Sequence, residues 1–354
     1  MSRWQYFARR LLLSIPVVVF GTTVTFLIIF AGPIDPAAAI LGQSASAAEL
    51  QNVREQLGLT EPLWEQYIDF MTDMFLFQLG ESWVINSGTP ATEVIWNYAP
   101  RTIWLGFWSV LIAVFVGVPL GFYAGLNPNT GMDYLASLGG IVWRAMPNFW
   151  LAVILVSVLS QSQRFFFGFQ WATWLVETNI VTPPNLAFLQ YPVEAITDPV
   201  DWWWSIDDDG SFVAATKQIL PAALVLGSAS MGNEMRIGRT AVLETINSDY
   251  VETAKAKGLA GRTIVWKHVF RNALIPLVPI ITGEAFLLLG GSVVVELVFA
   301  INGLGYLFFQ AAVQGDLPLV GTLMYLFILL LVGVNILQDL LYTLIDPRVG
   351  YETE

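Results

Sequence analysis

The stretch Asp249–Pro276, DYVETAKAKGLAGRTIVWKHVFRNALIP, is the longest polar run between the apolar segments of the second half of the chain. Its first residue, followed by Glu252, is typical of a helix start, with an acceptor at the cap and a carboxylate that reaches back. Gly258 predicts the helix end, because glycine adopts the left-handed conformation there at little cost. Ala254 and Ala256 would keep this helix thin, so that a bulky partner could lie against it.

A second short helix is predicted over Arg262–Arg271. It places Ile264 and Val269 on one side and Lys267 on another. Two such helices on the cytoplasmic side of a membrane protein could form a docking surface for a partner. They could equally form a basic hairpin that lies on anionic lipid, and spacing alone does not decide between the two.

The composition indicates a membrane protein. The chain is 55% hydrophobic and 12% charged, whereas soluble domains carry about 25% charged residues. A helix needs about 20 apolar residues to span a bilayer, and open sheets cannot cross lipid. We therefore expect an all-α membrane protein with six transmembrane helices. The six runs are Leu11–Ala31, Ile103–Gly125, Leu135–Ser160, Ile219–Thr240, Leu274–Val298 and Leu319–Leu344.

The charges predict the orientation of the chain in the membrane. The segment between the first two spans carries nine acids and a single basic residue, Arg54, and the segment between spans three and four is also acidic. Most arginines and lysines fall in the other connections and near the termini. Because basic residues favour the cytoplasmic side, both termini and the Asp249 loop should be cytoplasmic and the acidic segments should face outward.

The two acidic segments are too long to be plain connectors. Ser46 and Glu49 have the spacing of a capping box, which predicts a helix to about Leu57. The second segment contains three consecutive tryptophans, Trp202–Trp204, for which the membrane interface is the expected place. Chain order therefore predicts an N-terminal segment with the first span (1–31), an outer helical domain (32–100), a core of five further spans (101–348) with an outer insertion (161–218) and a coupling loop (249–271), and a C-terminal tail (349–354).

Two features inside the spans have consequences for packing. Gly117, Gly121 and Gly125 recur at four-residue spacing, so a neighbouring backbone could approach that face closely. Arg144 lies within the third span, where a charge is unfavourable in lipid. Its side chain should point into the bundle or extend toward the interface.

Particular motifs of the chain resemble a known family. Glu252-Thr-Ala254-Lys-Ala256-Lys-Gly258, followed by Arg271-Asn-Ala-Leu-Ile-Pro276, resembles the EAA loop of ABC-transporter permeases. More narrowly, the chain is similar from Arg9 to about Arg348 to the dipeptide/oligopeptide (and nickel) permease family, in the subunit with the long first outer loop. In that family the loop is the coupling helix, which sits in a groove of the ATPase subunit.

The resemblance implies a type I importer core with several partners. These are a homologous permease in a heterodimer, two ATPase subunits, an extracellular or periplasmic solute-binding protein and the lipid of the cell membrane, with no nucleic acid. The residues that would contact the ATPase are Asp249, Tyr250, Glu252, Ala254, Ala256, Gly258 and Leu259.

Four residues are candidates for the transport path: Glu284, Ser292, Glu296 and Asn148. Glu284 lies about ten residues into the fifth predicted span, which is roughly 15 Å along the helix and close to the bilayer centre. A carboxylate at that depth should face the bundle interior. It could meet a cationic group of the cargo, or it could be a protonated acid that is hydrogen-bonded to an adjacent helix.

Catalysis is not expected of this chain. It has no GxxxxGK[ST] phosphate-binding loop, no HExxH and no GxSxG motif. Without cysteine it cannot form disulfides or thiolate metal sites, and no cofactor is expected. The family resemblance implies peptide import as half of a transmembrane path, with nickel or oligosaccharide as alternative cargo. A secondary transporter that works alone is the further alternative, but it would require matching internal repeats.

Overall fold

The computed structural model describes residues 3–32, 35–41, 45–205, 210–289 and 293–345. Within these ranges the chain forms helices and turns and no named strand, which confirms the expected all-α fold. The chain divides into two compact units, Met1–Pro100 with Asn302–Ile336, and Arg101–Ile301 with Leu337–Glu354. These units group the residues differently from the division by chain order, because the helix Arg3–Phe30 and most of the helix Leu317–Ile345 pack with the outer helices.

The α-helices are numbered from the N-terminus. They are α1 (Arg3–Phe30), α2 (Pro36–Leu41), α3 (Ala47–Gln56), α4 (Leu63–Phe75), α5 (Ala91–Ile112), α6 (Val118–Leu126), α7 (Gly131–Ala145), α8 (Asn148–Ser160), α9 (Ser162–Phe165), α10 (Glu194–Thr197), α11 (Pro199–Trp204), α12 (Phe212–Ile246), α13 (Asp249–Ala256), α14 (Gly261–Thr263), α15 (Arg271–Ala273), α16 (Val278–Leu289), α17 (Val293–Phe299), α18 (Leu304–Gln314) and α19 (Leu317–Ile345). Ala113–Gly117 and Ile264–Phe270 are π-helical, and Ala187–Gln190 and Ile275–Leu277 are 3₁₀ turns.

Five of the described helical segments are long and apolar enough to cross a membrane: Phe7–Phe30, Ala91–Leu126, Phe212–Ile246, Gly261–Gly283 and Leu317–Leu341. The pairs α7 with α8 and α17 with α18 each pass the same test as a broken span, which raises the number to seven at most. The expected six spans fall within this range. The helical segment that contains the start of the expected fifth span begins at Gly261, because the polar residues before Leu274 are also helical.

In the first unit, α4 packs against α1 and α19. The ring of Phe26 lies 5.3 Å from that of Tyr67 and 5.6 Å from that of Phe70, and Met74 joins a buried cluster with Tyr325. The capping box at Ser46 is confirmed, since its hydroxyl accepts from the amide of residue 49 at 3.3 Å and its own amide donates to that residue's carboxylate at 2.8 Å.

The second unit is built around α12, and α6 approaches it along the predicted glycine face. A Cβ at Gly121 would lie 2.4 Å from the backbone oxygen of Met235. A Cβ at Gly125 would lie 2.7 Å from the Cβ of Val242. Real Cβ atoms do not approach other atoms this closely, so the predicted close backbone approach is confirmed.

The outer insertion packs on the first turns of α12 in the same unit. Lys217 Nζ donates to the backbone oxygens of Ala172 and Val176, at 2.9 and 2.5 Å. The indole of Trp202 stacks on Phe212 with ring centroids 5.3 Å apart and donates its N–H to a backbone oxygen. At least this tryptophan therefore contributes to an aromatic cluster within the insertion, beyond the interfacial role expected from its sequence.

Candidate functional site

The helix α13 forms the first arm of the predicted coupling loop, and its ends are defined by different interactions. Its N-cap is Ser248, whose hydroxyl donates to Thr245 O at 2.6 Å and makes no capping bond to α13. The capping box expected from Asp249 and Glu252 is therefore wrong, because both residues lie inside the first turn. There their negative charges favour the positive end of the helix dipole.

The C-terminus of α13 behaves as predicted. Gly258 has a φ of +73°, the left-handed conformation that favours glycine. Its amide donates to Lys255 O at 2.9 Å, and the amide of Leu259 donates to Ala254 O at 3.3 Å. This pair of bonds is the Schellman arrangement, which satisfies the last carbonyls of the helix and turns the chain toward α14.

One face of α13 packs on the rest of the second unit. Val251 is fully buried and Ala254 is 5% exposed, in a cluster that includes Val242 of α12 and Val269 of the π-helical segment Ile264–Phe270. The small side chain of Ala254 is thus explained by packing within this chain, and it is not available to a partner as the sequence had suggested.

The opposite face of α13 is open. Asp249, Glu252 and Ala256 are exposed there, Tyr250 is exposed at the edge of this face, and Gly258 and Leu259 are exposed in the turn that follows α13. Asp249, Glu252 and Ala256 line a shallow groove of about 550 Å³ together with Thr253 and Lys255. Tyr250 and Leu259 are 45% and 41% exposed, so the surface combines apolar and charged groups. Such a mixture is typical of the rim and anchors of a protein interface.

The second arm runs from Gly261 to Ala273 with the predicted two sides. Ile264, Val269 and Ala273 are buried, whereas Lys267 is exposed. Trp266 is 59% exposed and its ring lies 5.1 Å from that of Phe270. An exposed indole beside basic side chains also suits a lipid surface. This arm is therefore consistent both with a docking surface for a partner and with a basic hairpin on anionic lipid, the two interpretations made from the sequence.

The four candidate path residues are described to different extents. Ser292 lies outside the described residues, and Glu284 lies on α16 with its side chain outside that description. Asn148 is half-buried at the start of α8. Glu296 is fully buried in α17 and accepts a hydrogen bond from Thr102 Oγ1 at 2.8 Å. Among the described contacts, Glu296 is therefore tied to a neighbouring helix of its own unit.

The charged residues of α7 and α12 in the second unit form contacts that sequence reasoning only partly identified. Arg239 binds both carboxylate oxygens of Asp133, at 2.5 and 2.8 Å. Arg144 Nη1 donates to Asn233 Oδ1 at 2.9 Å, which fixes the side chain against α12. Arg144 and Arg236 line one cavity of about 340 Å³. Arg144 was recognisable as a charge inside an apolar run, but the partners on α12 are too far away in sequence to be paired with it by spacing.

Asp316 was also missed as a structural residue in the first unit. It is fully buried, and its carboxylate accepts hydrogen bonds from the hydroxyl of Ser82 and from the backbone amides of Trp83, Val84 and Ile85. The sequence offered only the Gly-Asp-Leu-Pro motif around it. No signal along the chain points to a turn more than two hundred residues away.

Comparison with known sequences gives two family matches. The family described as "binding-protein-dependent transport system inner membrane component" matches residues 117–351. The N-terminal membrane component of the same transport systems matches residues 3–86. Together they match most of both compact units, and residues 87–116 lie between the two matches.

Individual relatives are similar along almost the whole chain. The dipeptide transport system permease protein DppB of Alkalihalophilus pseudofirmus is 33% identical, over 98% of this chain and 99% of that protein. The oligopeptide transport system permease protein AppB of Bacillus subtilis is 32% identical, over 98% and 99%. Among solved structures, the MetNI methionine ABC transporter in inward-facing conformations shares the fold, with a TM-score of 0.52 and 17% identity over 73% of this chain and 98% of that one.

Proposed function

This chain belongs to the family of binding-protein-dependent transport system inner membrane components, and we propose that it is a peptide-carrying permease subunit of an ABC importer. It supplies half of the transmembrane path and hydrolyses no ATP itself. The proposed cargo is supported by relatives that are named as dipeptide and oligopeptide permeases. Nickel and oligosaccharides remain cargo alternatives that no described residue favours.

The coupling role is supported mainly by one observation, that α13 has one buried face and one open face. Val251 and Ala254 anchor the helix to the membrane core of the second unit, and the other face is open. A rigidly anchored helix with an exposed mixed surface can transmit the movement of a bound partner to the spans it is packed on. We therefore assign the open face to an ATPase subunit, with Tyr250 and Leu259 as apolar anchors.

The remaining partners follow from the same proposal. A homologous permease would complete the path as a heterodimer, two ATPase subunits would bind on the cytoplasmic side, and a solute-binding protein would deliver the peptide from outside. Both termini and α13 would then lie in the cytoplasm, in agreement with the distribution of basic residues. Glu284, Ser292, Glu296 and Asn148 remain proposed path residues.

Uptake by the reconstituted transporter tests this function. Proteoliposomes that contain this chain, its partner permease and the ATPases should accumulate labelled dialanine only with ATP at the nucleotide-binding side and the solute-binding protein outside. Accumulation driven by a proton or sodium gradient without ATP would reject the ABC assignment in favour of a secondary transporter. ATP-dependent uptake of nickel or an oligosaccharide with no uptake of peptides would reject the peptide cargo.

A variant of the open face tests the coupling role within the same assay. Ala256 is exposed, so Ala256→Trp adds bulk without disturbing the packing of this chain. Uptake should fall by more than tenfold, because an indole at a close protein contact overpacks it, while the amount of this chain in the membrane stays constant. Ala48→Trp places the same bulk on the exposed side of α3 and should leave uptake unchanged.

A further inference from the structure

The cavity between α7 and α12 is lined by two arginines, Arg144 and Arg236. The rest of its wall is formed by Ser137, Gly140, Ile141, Ala145 and Gly232. Positions 137, 140, 141 and 144 follow the helical repeat and therefore share one side of α7. The volume of about 340 Å³ is at the lower end of the roughly 300–1,000 Å³ typical of small-molecule sites.

Gly140 of α7 and Gly232 of α12 bring the two helices together at the wall of this cavity. A Cβ at Gly232 would lie 2.9 Å from Gly140 O, so the backbones are in direct contact at that point. Asn233, the next residue of α12, accepts the hydrogen bond that orients the Arg144 guanidinium. One of the two cationic groups is thus held in place by the protein before any ligand arrives.

The acidic groups closest in sequence to this cavity are engaged elsewhere. Asp133 accepts hydrogen bonds from Nε and Nη2 of Arg239 and therefore does not neutralise the cavity. Glu234 directs a carboxylate oxygen toward Gly117, on the side of α12 that faces α6. Within the described part of the chain, neither Arg144 nor Arg236 forms an ion pair, so the cavity carries two positive charges.

Both arginines lie in segments apolar enough to span the membrane. Arg236 is ten residues before the end of α12, roughly 15 Å along the helix. Arginine in contact with lipid tails at depth is strongly unfavourable, so such side chains face a water-filled cavity or the bundle interior. A cavity lined by both arginines should therefore face water or the bundle interior rather than hydrocarbon.

We propose that the Arg144–Arg236 cavity binds the terminal carboxylate of the transported peptide. Guanidinium groups bind carboxylates in a planar, two-bonded geometry. Every linear peptide carries this carboxylate whatever its side chains, so the site would accept varied sequences. The inference rests on the proposed peptide cargo and adds to it a specific group that is recognised.

Thiol labelling in the assembled transporter tests the cavity without relying on transport. The chain has no cysteine, so Ile141→Cys introduces a single thiol at the rim. Its modification by an anionic sulfonatoethyl methanethiosulfonate and by the cationic trimethylammonium analogue is followed by the mass of this chain. The anionic reagent should react about tenfold faster, and the preference should disappear in Arg144→Gln with Arg236→Gln. Arg144→Lys keeps the charge and should retain it, which separates charge from folding.

Protection identifies the ligand. Dialanine should slow the modification several-fold in zwitterionic nanodiscs, whereas dialanine amide, which lacks the carboxylate, should not. Equal protection by both compounds, protection by neither, or an equal rate with the two reagents would overturn the inference. Protection only by added phosphatidylglycerol would assign the cavity to a lipid headgroup and also overturn it. If one of these outcomes is found while dialanine uptake is normal, the proposed function stands and only the carboxylate site is rejected. Protection by dialanine without any uptake of dialanine would instead reject the proposed function.

Discussion

The carboxylate of Asp316 should determine the stability of the Ser82–Ile85 turn in the first unit. The substitution Asp316→Ala removes the acceptor for three backbone amides and one hydroxyl at once. A buried donor left without a partner costs about 1–3 kcal/mol. Because the three amides are only partly buried, we take the lower end of that range, about 1 kcal/mol, for each amide. The three together give about 3 kcal/mol for the local opening of the turn.

Amide hydrogen exchange measures this opening directly. An energy of about 3 kcal/mol corresponds to about 100-fold faster exchange, since each 1.4 kcal/mol is a factor of ten. We therefore expect the amides of Trp83, Val84 and Ile85 to exchange about 100-fold faster in Asp316→Ala, measured by mass spectrometry on the purified protein. Asp316→Asn retains one acceptor oxygen and should give about a tenfold increase.

The matched control is Asp69→Ala, which removes an exposed acid from α4 of the same unit. It should leave the exchange of the turn unchanged. If the amides of residues 83–85 exchange at the same rate in Asp316→Ala as in the unchanged protein, the carboxylate does not hold the turn and the reasoning is refuted.

Three further changes test packing and orientation. Gly121→Ala should lower the melting temperature, because its Cβ would lie 2.4 Å from Met235 O and overpacking of this kind costs about 1–3 kcal/mol. Lys217→Met removes both hydrogen bonds that this lysine donates to the insertion, so a protease should cleave residues 161–211 faster. In intact cells an impermeant thiol reagent should modify Ala48→Cys on the outside, while Thr263→Cys should react only after the cells are opened.

Controls for these changes come from the same chain. Gly131→Ala should leave the melting temperature unchanged, because no described atom lies within 4 Å of its Cβ position. Lys257→Met removes an exposed lysine and should not alter cleavage of the insertion. A melting temperature that is unaffected by Gly121→Ala would contradict the close helix contact. Labelling at position 263 alone would reverse the orientation.

The features that were predictable from the sequence are those set by local chemistry. Ser46 with Glu49 and the glycine at 258 specify helix ends through residues three to five positions apart, and both agree with the structure. The glycine repeat of α6 was readable because one helix face has a fixed period. The apolar runs likewise indicated spans, since a bilayer imposes a length on every crossing segment.

The features that escaped prediction depend on pairs of residues far apart in the chain. Nothing near Asp316 points to the turn at Ser82, and nothing near Arg144 points to Asn233. Ala254 was assigned to the partner-facing side because a small residue suits either a close external contact or a buried one. The difference depends on which side of α13 meets Val242 and Val269, and that is decided by tertiary packing.

The central claim is that the open face of α13 contacts an ATPase subunit, and photo-cross-linking tests it most directly. A benzophenone amino acid is placed at Ala256 in the assembled transporter, with Ala48 on α3 as the outward-facing control. On irradiation, position 256 should form a covalent product with the ATPase subunit and position 48 should not. If position 256 cross-links only to lipid or to no protein while the complex remains intact, α13 is not the ATPase contact and the account is contradicted.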